Sequence, residues 1–572
     1  MAIHNADIAA QFIRMAELLE IEGANPFRVR AYRRAAQTIE DLPTSIVKMI
    51  EAGEDLDDLP GIGPDLAAKI KEICATGHST ALEEVEARTP ASLAEITAMP
   101  GLGPKRVQLM HERLGITDLA ALERAARAGR LRELPRFGEA LEKKILATLA
   151  NRQGTEQRFK ISTAEDFAAG LVSHMRSLPE VREVVVAGSF RRRKETVGDL
   201  DILVTARDGK AAIDHFVRYD EVSEILGQGT TRATVRLRAG LQVDLRVVPD
   251  PSYGAALHYF TGSKAHNIAV RKIAQDKRLK LNEYGIFRGA SRVGGSTEQE
   301  VFAAAGLPYI EPELREDRGE IEAAAAGNLP KLVTLEDIRG DLHVHTRDSD
   351  GKSTLREMSE AARAMGYAYL AITDHSQHAT VAHGLDERRL SKQLDQIDRL
   401  NDELDGIVVL KSSEVDILDD GRLDMPMSML QRLDLVVCAV HSRFELDIES
   451  QTNRIIRAMD NRFCNIIAHP TGRLIGERPA YAVDMDKILT AAKERGCFLE
   501  VNAHPSRLDL DDIHCRAAKQ AGVRVAIGTD AHSTVGLSAM RYGVDQARRG
   551  WLEAEDVLNT RPWNELKTLL TR

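Results

Sequence analysis

The sequence predicts a multidomain protein: an α-helical N-terminal region, an α+β middle built on a sheet, and a C-terminal distorted α/β barrel of TIM-like design. Three observations predict it. Within the first 150 residues a turn of Pro and Gly recurs, each time followed by apolar residues at helical spacing. From about residue 181, β-rich apolar runs such as "VREVVVAGSF", "LDILVTA" and "ATVRLRAGLQVDLRVVP" signal a sheet. Beyond 340, short apolar strands end in His, Asp or Glu and alternate with helical segments, as they do where barrel strands carry chemistry at their C-terminal ends.

The 572 residues suggest three to five domains, and the composition is that of a globular chain. No N-terminal signal and no bilayer-length apolar run is present, so no membrane partner is expected. Five cysteines without CxxC spacing fit reduced thiols in a cytoplasm, and a monomer is the default expectation. The net charge of −10 is unevenly spread. Residues 101–300 carry 34 Lys and Arg against 25 Asp and Glu, a net of +9, so the rest carries −19. A basic middle suits phosphate binding, which the overall charge would have hidden.

In the N-terminal region the repeated pattern is "LPGIGPDLAAKI" (59–70), "MPGLGPKRVQLM" (99–110) and a weaker "LPRFGEALEKKI" (134–145). The Gly-x-Gly turns (Gly61 and Gly63, Gly101 and Gly103) let backbone amides at a helix N-terminus approach a phosphate, with Lys105 beside them. The pattern resembles the helix-hairpin-helix motif, which grips DNA backbone without reading sequence.

In "GSFRRRKETVGDLDILV" (188–204), strand alternation puts Asp199 and Asp201 on one face and Leu200, Ile202 and Val204 on the other. Two adjacent carboxylates repel unless a cation neutralises them, and hard oxygen ligands suit Mg²⁺ or Mn²⁺ bound with a substrate phosphate. In "LQVDLRVV" Asp244 faces away from Leu241, Val243, Leu245 and Val247; if its strand is a neighbour, it completes a carboxylate cluster for two ions. Gly188 and Ser189 offer an amide and a hydroxyl to phosphate, and the basic run Arg191–Lys194 offers charge.

The order GS–x(9)–D–x–D resembles the nucleotidyltransferase superfamily. "AGSFRR", "GDLDILV", "VDLR" and "YFTGS" (259–263) narrow the resemblance to family X DNA polymerases typified by DNA polymerase beta, over residues 1–312. That resemblance implies a palm in which Asp199, Asp201 and Asp244 hold metal and Asp244 takes the primer 3′-hydroxyl proton. It implies that Ser189 and Arg192 hold the β,γ-phosphates, that Tyr259, Phe260 and Gly262 line the sugar pocket, that Asn267 touches the incoming base and that Arg271 touches the template. Val197, Lys264 and Asp65 depart from the family pattern. Lys69 aligns with the family's Schiff-base lysine for removing 5′-deoxyribose phosphate; a DNA-backbone contact is the alternative reading.

In the C-terminal third, "GDLHVHTRDSDG" (340–351) places His343 and His345 on one strand face, able to chelate one metal together. Later strand ends supply His375, Glu414, His441, His469, Asp530 and His532. Mixed imidazole and carboxylate sets suit Zn²⁺ or Mn²⁺. This stretch resembles the polymerase and histidinol phosphatase (PHP) domain. The resemblance implies three ions: one on His343, His345, Glu414 and Asp530, one on Glu414, His441 and His469, and one on Asp350, His375 and His532, with Asp348 a near neighbour of Asp350.

Together the resemblances imply a bacterial family X polymerase with a C-terminal PHP domain. Its partners would be gapped or nicked DNA and dNTPs, its task gap filling in base-excision repair, and its second activity 3′→5′ exonuclease or abasic-site cleavage. Expected domains are a helical DNA-binding domain (1–85), a helix-hairpin-helix subdomain (86–150), a palm (151–250), a nucleotide-selection subdomain (251–320), a linker (321–338) and the PHP domain (339–572). Two rival readings are a template-independent nucleotidyltransferase joined to a small-molecule phosphatase, and a non-catalytic DNA-binding scaffold.

Overall fold

The computed structural model describes residues 3 and 5–571, apart from 42–45, 60, 98, 100, 101, 136 and 153–157. The chain divides into two compact units. One comprises residues 1–158 with 219–223 and 236–241; the other holds the remaining residues.

The first unit is helical. Helices Asn5–Ile21 and Pro26–Asp41 pack against each other, with Phe12 edge-on to Tyr32. Helices Pro64–Thr76 and Pro104–Leu114 each begin at a glycine N-cap (Gly63, Gly103) followed by proline. Proline suits the first helical position, where its missing N–H costs nothing. Both helices end at a left-handed glycine, Gly77 and Gly115.

One sheet is five-stranded, and its central strands place the carboxylates. Strand Asp199–Ala206 lies antiparallel to Val181–Val186 and parallel to Gln242–Val247. The burial of Leu200, Ile202 and Val204, and of Val243, Leu245 and Val247, follows the alternation in the sequence. The next segment contains helices Tyr253–Thr261 and Lys264–Asp276, a three-stranded antiparallel sheet and helix Glu298–Ala305.

The stretch 321–338, read from sequence as a linker, is packed. Glu320–Ala325 is a helix whose Ile321 and Ala324 share a core with Phe302 and Leu332. Val333 lies in the next core along the chain. Gly327, Asn328 and Pro330 suggested a linker; the Ala-rich run beside them has high helix propensity and apolar residues to bury.

Residues 340–528 contribute seven parallel strands in chain order: Gly340–Val344, Tyr369–Ile372, Val408–Asp416, Leu435–Ala439, Ile466–Ile467, Phe498–Asn502 and Val525–Gly528. A parallel bridge between Val344 and Ala531 brings the two ends together in a nearly closed barrel. Alternation builds two cores. In Leu435–Ala439, Leu435, Val437 and Ala439 join one apolar cluster, while Val436 and Cys438 join another. Aspartates cap the N-termini of several helices, including Glu387–Glu403 (Asp386), Ile448–Met459 (Asp447) and Asp512–Ala521 (Asp511). Among the described residues no helix is long and apolar enough to cross a membrane.

Candidate active sites

The parallel register sets Asp201 directly opposite Asp244, with Asp199 two residues before on the same strand. Burial first, then Asp199 and Asp244, push the Asp201 carboxyl up to about 7. A buried carboxyl beside two others fits a cation site, although Arg192 and Arg246 offset part of the charge. Thr234 Oγ1 donates to Asp244 Oδ1 at 2.5 Å and Gln242 Nε2 to Oδ2 at 2.8 Å, so the third carboxylate is held in place. Gly188 adopts φ 62°, and a Cβ there would sit 2.5 Å from Asp201 Oδ2. The glycine is required because the turn runs against the carboxylate.

Arg191 does not face open solvent. It donates to Glu298 Oε1 and Oε2 at 2.9 and 2.6 Å, and Glu298 also accepts from the buried Arg315 at 2.6 Å. Arg192 donates from Nη1 to the Thr261 carbonyl (2.5 Å) and from Nε to Glu316 (3.0 Å). A Cβ on Gly262 would stand 3.0 Å from Arg192 Nη1, so the "YFTGS" turn and the arginine run meet. Ser189 is half-buried beside them, Tyr259 is exposed and Phe260 half-buried. Asn267 donates to the Tyr259 carbonyl at 2.7 Å, and Arg271 lies 5.9 Å from the centre of the Tyr259 ring. The structure therefore gathers Asp199, Asp201, Asp244, Gly188 and Arg192, and ties Tyr259, Gly262, Asn267 and Arg271 into the adjoining segment.

The second cluster lies where the barrel strands end. His343 Nε2 and His345 Nε2 stand 3.1 Å apart. Asp530 Oδ1 is 3.2 Å from His345 Nε2, and Glu414 Oε2 is 3.6 and 3.7 Å from the two imidazoles. Glu414 Oε1 meets His469 Nε2 at 2.9 Å and His441 Nε2 at 3.3 Å. Asp350 Oδ1 lies 3.3 Å from His532 and 3.7 Å from His375. Asp348 is turned elsewhere and accepts from Gln393.

Three subsets bring their ligand atoms close enough to hold an ion: His345, Asp350, His375 and His532; His343, His345 and Asp530; and His375, Glu414 and His441. These overlap the three sets that the PHP resemblance implies, but Glu414 is absent from the first, His375 stands in place of His469 in the second and His345 joins the third. The donors fit metal. Nδ1 of His345 and His375 and Oε2 of Glu414 are buried without a hydrogen-bond partner, although His375 Nδ1 is only 2.8 Å from that oxygen. Donor atoms packed together without hydrogen-bond geometry are satisfied by a shared cation. Burial, with His532 and His375 nearby, depresses His345 to about 3, which keeps the imidazole neutral, the form able to bind a metal.

Sequence reasoning missed the groups behind these ligands. Glu500 meets His343 Nδ1 at 2.6 Å and accepts from the His469 amide at 2.7 Å. Asp416 meets His441 Nδ1 at 2.5 Å. Such partners fix the imidazole tautomer and orientation. The signal was present: Glu500 sits inside the apolar run "FLEVN", where a lone carboxylate needs a partner. On the rim, Arg507 Nε is 3.3 Å from Asp530 Oδ2.

In the helical unit, no heavy atom would lie within 4 Å of a Cβ on Gly63 or Gly103, which leaves open space beside both helix N-termini. Gly61 has φ 74°. Lys105 is exposed, and Gly103 and Lys105 line a cleft of about 840 Å³ with Arg30, Arg33 and Arg106. Gly101 lies outside the described residues. Lys69 Nζ is 2.5 Å from Asp65 Oδ1.

Family models match along the chain: a helix-hairpin-helix domain over 3–79, a SAM-like helix-hairpin-helix tandem over 53–114 and 93–151, DNA polymerase beta palm over 162–245, DNA polymerase beta thumb over 256–316, and a PHP domain over 341–504. The chain is 37% identical over 575 residues to the DNA polymerase/3′-5′ exonuclease PolX of Bacillus subtilis (strain 168), covering all of both chains. The chain belongs to the PolX family. Parts of this PolX-family chain have relatives of their own. A DNA polymerase lambda of Rattus norvegicus is 28% identical over 348 residues, which are 55% of this chain and 56% of that one. A probable phosphatase of Thermoanaerobacter sp. (strain X514) is 32% identical over 231 residues, 38% of this chain and 89% of that one. The chain is thus a family X DNA polymerase carrying a second site of phosphoesterase type.

Proposed function

We propose that this chain fills short gaps in DNA during base-excision repair and that its PHP site cuts DNA strands, as a 3′→5′ exonuclease, an abasic-site endonuclease or both. The observation that carries the reading is the pairing of Asp201 with Asp244 beneath the Gly188 turn. Magnesium or manganese on Asp199, Asp201 and Asp244, and zinc or manganese on the nine barrel ligands, would supply the positive charge and Lewis acidity that phosphoryl transfer and phosphodiester hydrolysis require.

The protein's residues do the rest. Gly188 and Ser189 would offer an amide and a hydroxyl to the triphosphate, and Arg192 would pair with phosphate oxygens. Asp244, already a hydrogen-bond acceptor, takes the proton of the primer 3′-hydroxyl. Tyr259, Phe260 and Gly262 bound the sugar. Asn267 would touch the incoming base and Arg271 the template. At the barrel, Glu500 and Asp416 hold His343 and His441 in ligand orientation. The glycine turns and Lys105 of the helical unit hold DNA backbone. Lys69, with a carboxylate as its partner, is assigned to backbone contact rather than lyase attack, which requires an amine free to add to an aldehyde.

The test is incorporation on a duplex with a one-nucleotide gap, with Mg²⁺ or Mn²⁺. Insertion that follows the templating base supports the reading; insertion indifferent to it favours a template-independent transferase instead.

A further inference from the structure

The arginine-rich turn after Gly188 is gripped from the barrel at Arg192, Arg193 and Glu195. Arg549, the last residue of barrel helix Met540–Arg549, is only 4% exposed. Its Nη1 donates to the main-chain carbonyl of Arg192 at 2.7 Å and to Glu316 Oε1 at 3.1 Å. Its Nη2 donates to Asp512 Oδ2 at 2.6 Å. Along the same turn, Arg193 lies 3.6 Å from Asp545, and Arg473 donates to Glu195 at 2.6 Å.

Glu316 is the pivot. One oxygen, Oε1, accepts from Arg192 Nε at 3.0 Å and from Arg549 at 3.1 Å. Arg192 and Arg549 together outweigh burial and hold this carboxyl below its ordinary range. The guanidinium expected to meet the triphosphate therefore rests on a carboxylate that a barrel arginine shares.

We infer that Arg549 is a positioning residue of the nucleotide site, through which the barrel sets the affinity of the polymerase for dNTP. The inference rests on the polymerase reading above. Arg549 anchors the main chain of Arg192 and takes part of the Glu316 charge, so Arg192 can exchange that carboxylate for a phosphate. Without Arg549, Glu316 turns wholly to Arg192 and the turn loses its anchor. Removing one member of a buried charged set leaves the others to re-pair or stand uncompensated.

Steady-state insertion on a one-nucleotide gap, with the full chain, tests this. For R549M we expect KM for dNTP to rise about tenfold with kcat largely kept, the signature of lost substrate binding. Strand cutting at the barrel site should keep its wild-type rate. R549K should move the same way, because one ammonium cannot reproduce the two-pronged fork; it carries the test if R549M does not fold. E316Q alone should leave KM at or below wild type, and R549M/E316Q should recover most of the loss. Wild-type KM in R549M or R549K, or no recovery in the double variant, overturns the inference. A wild-type protein that inserts no nucleotide overturns the polymerase reading before any variant is made.

Discussion

Asp201 and Asp244 face each other across parallel strands, so two carboxylates converge by sheet register alone. A helix and two further strands separate them in the chain, but the hydrogen-bonded pairing leaves them no other place. Burial and this neighbour lift Asp201 to about 7, a state that a bound cation reverses. Asp201→Asn should therefore lower template-directed insertion at least about 100-fold, since even groups behind a metal ligand can cost that much. Single-turnover rates on gapped DNA check it; a loss of less than tenfold would contradict a ligand role.

Glu500 touches two candidate ligands of the barrel cluster, His343 and His469, without belonging to any of the three close sets. Glu500→Gln should weaken metal retention or strand cutting by about 10- to 100-fold while insertion persists. Metal content after dialysis, measured beside both activities, decides this. Full metal content with normal cutting would remove Glu500 from the site.

The Glu298 carboxyl is pushed up by burial, but Arg191 and Arg315 overcome this and hold it near 2, against an ordinary 4.5. A depressed carboxylate stabilises the fold above pH 4.5 and loses that contribution as pH falls through 2. The shift corresponds to about 3 kcal/mol. Glu298→Gln should be less stable than wild type at pH 7, and the gap should narrow as pH approaches 2. Urea unfolding at pH 7 and pH 3 tests it; a gap equal at both pH values would refute the pairing.

Much of this was legible in the sequence because charge at the end of an apolar strand has few meanings. Asp199, Asp201 and Asp244 could be placed by alternation, and most of the nine candidate barrel ligands end or follow short apolar runs, whereas Asp350 stands six residues beyond Val344. Less legible were relationships made by tertiary packing. Nothing local says that Glu316 lies between Arg192 and Arg549, which are 357 residues apart in the chain. The stretch 321–338 carries both linker and helix signals, and only its neighbours decide that Ile321 and Leu332 are buried. Glu500 and Asp416 were overlooked because a lone carboxylate in an apolar strand signals that it needs a partner, but no spacing says which one.

Lys69 gives a further check. With Asp65 as its partner, it should form no covalent adduct on borohydride treatment with DNA bearing a 5′-deoxyribose phosphate. Lys69→Ala should lower affinity for gapped DNA while leaving kcat near wild type. A trapped adduct that disappears in Lys69→Ala would establish a lyase and overturn the backbone assignment.

Two separate active sites respond to different substitutions, and a single assay separates them. An end-labelled primer in a gapped duplex is incubated with Mg²⁺ or Mn²⁺, with and without dNTPs. Wild type is run beside Asp199→Ala/Asp201→Ala and His343→Ala/His345→Ala. Extension lost only in the aspartate variant, with strand shortening or abasic-site cutting lost only in the histidine variant, is the predicted result. Extension that survives in the aspartate variant, or cutting that survives in the histidine variant, would contradict it.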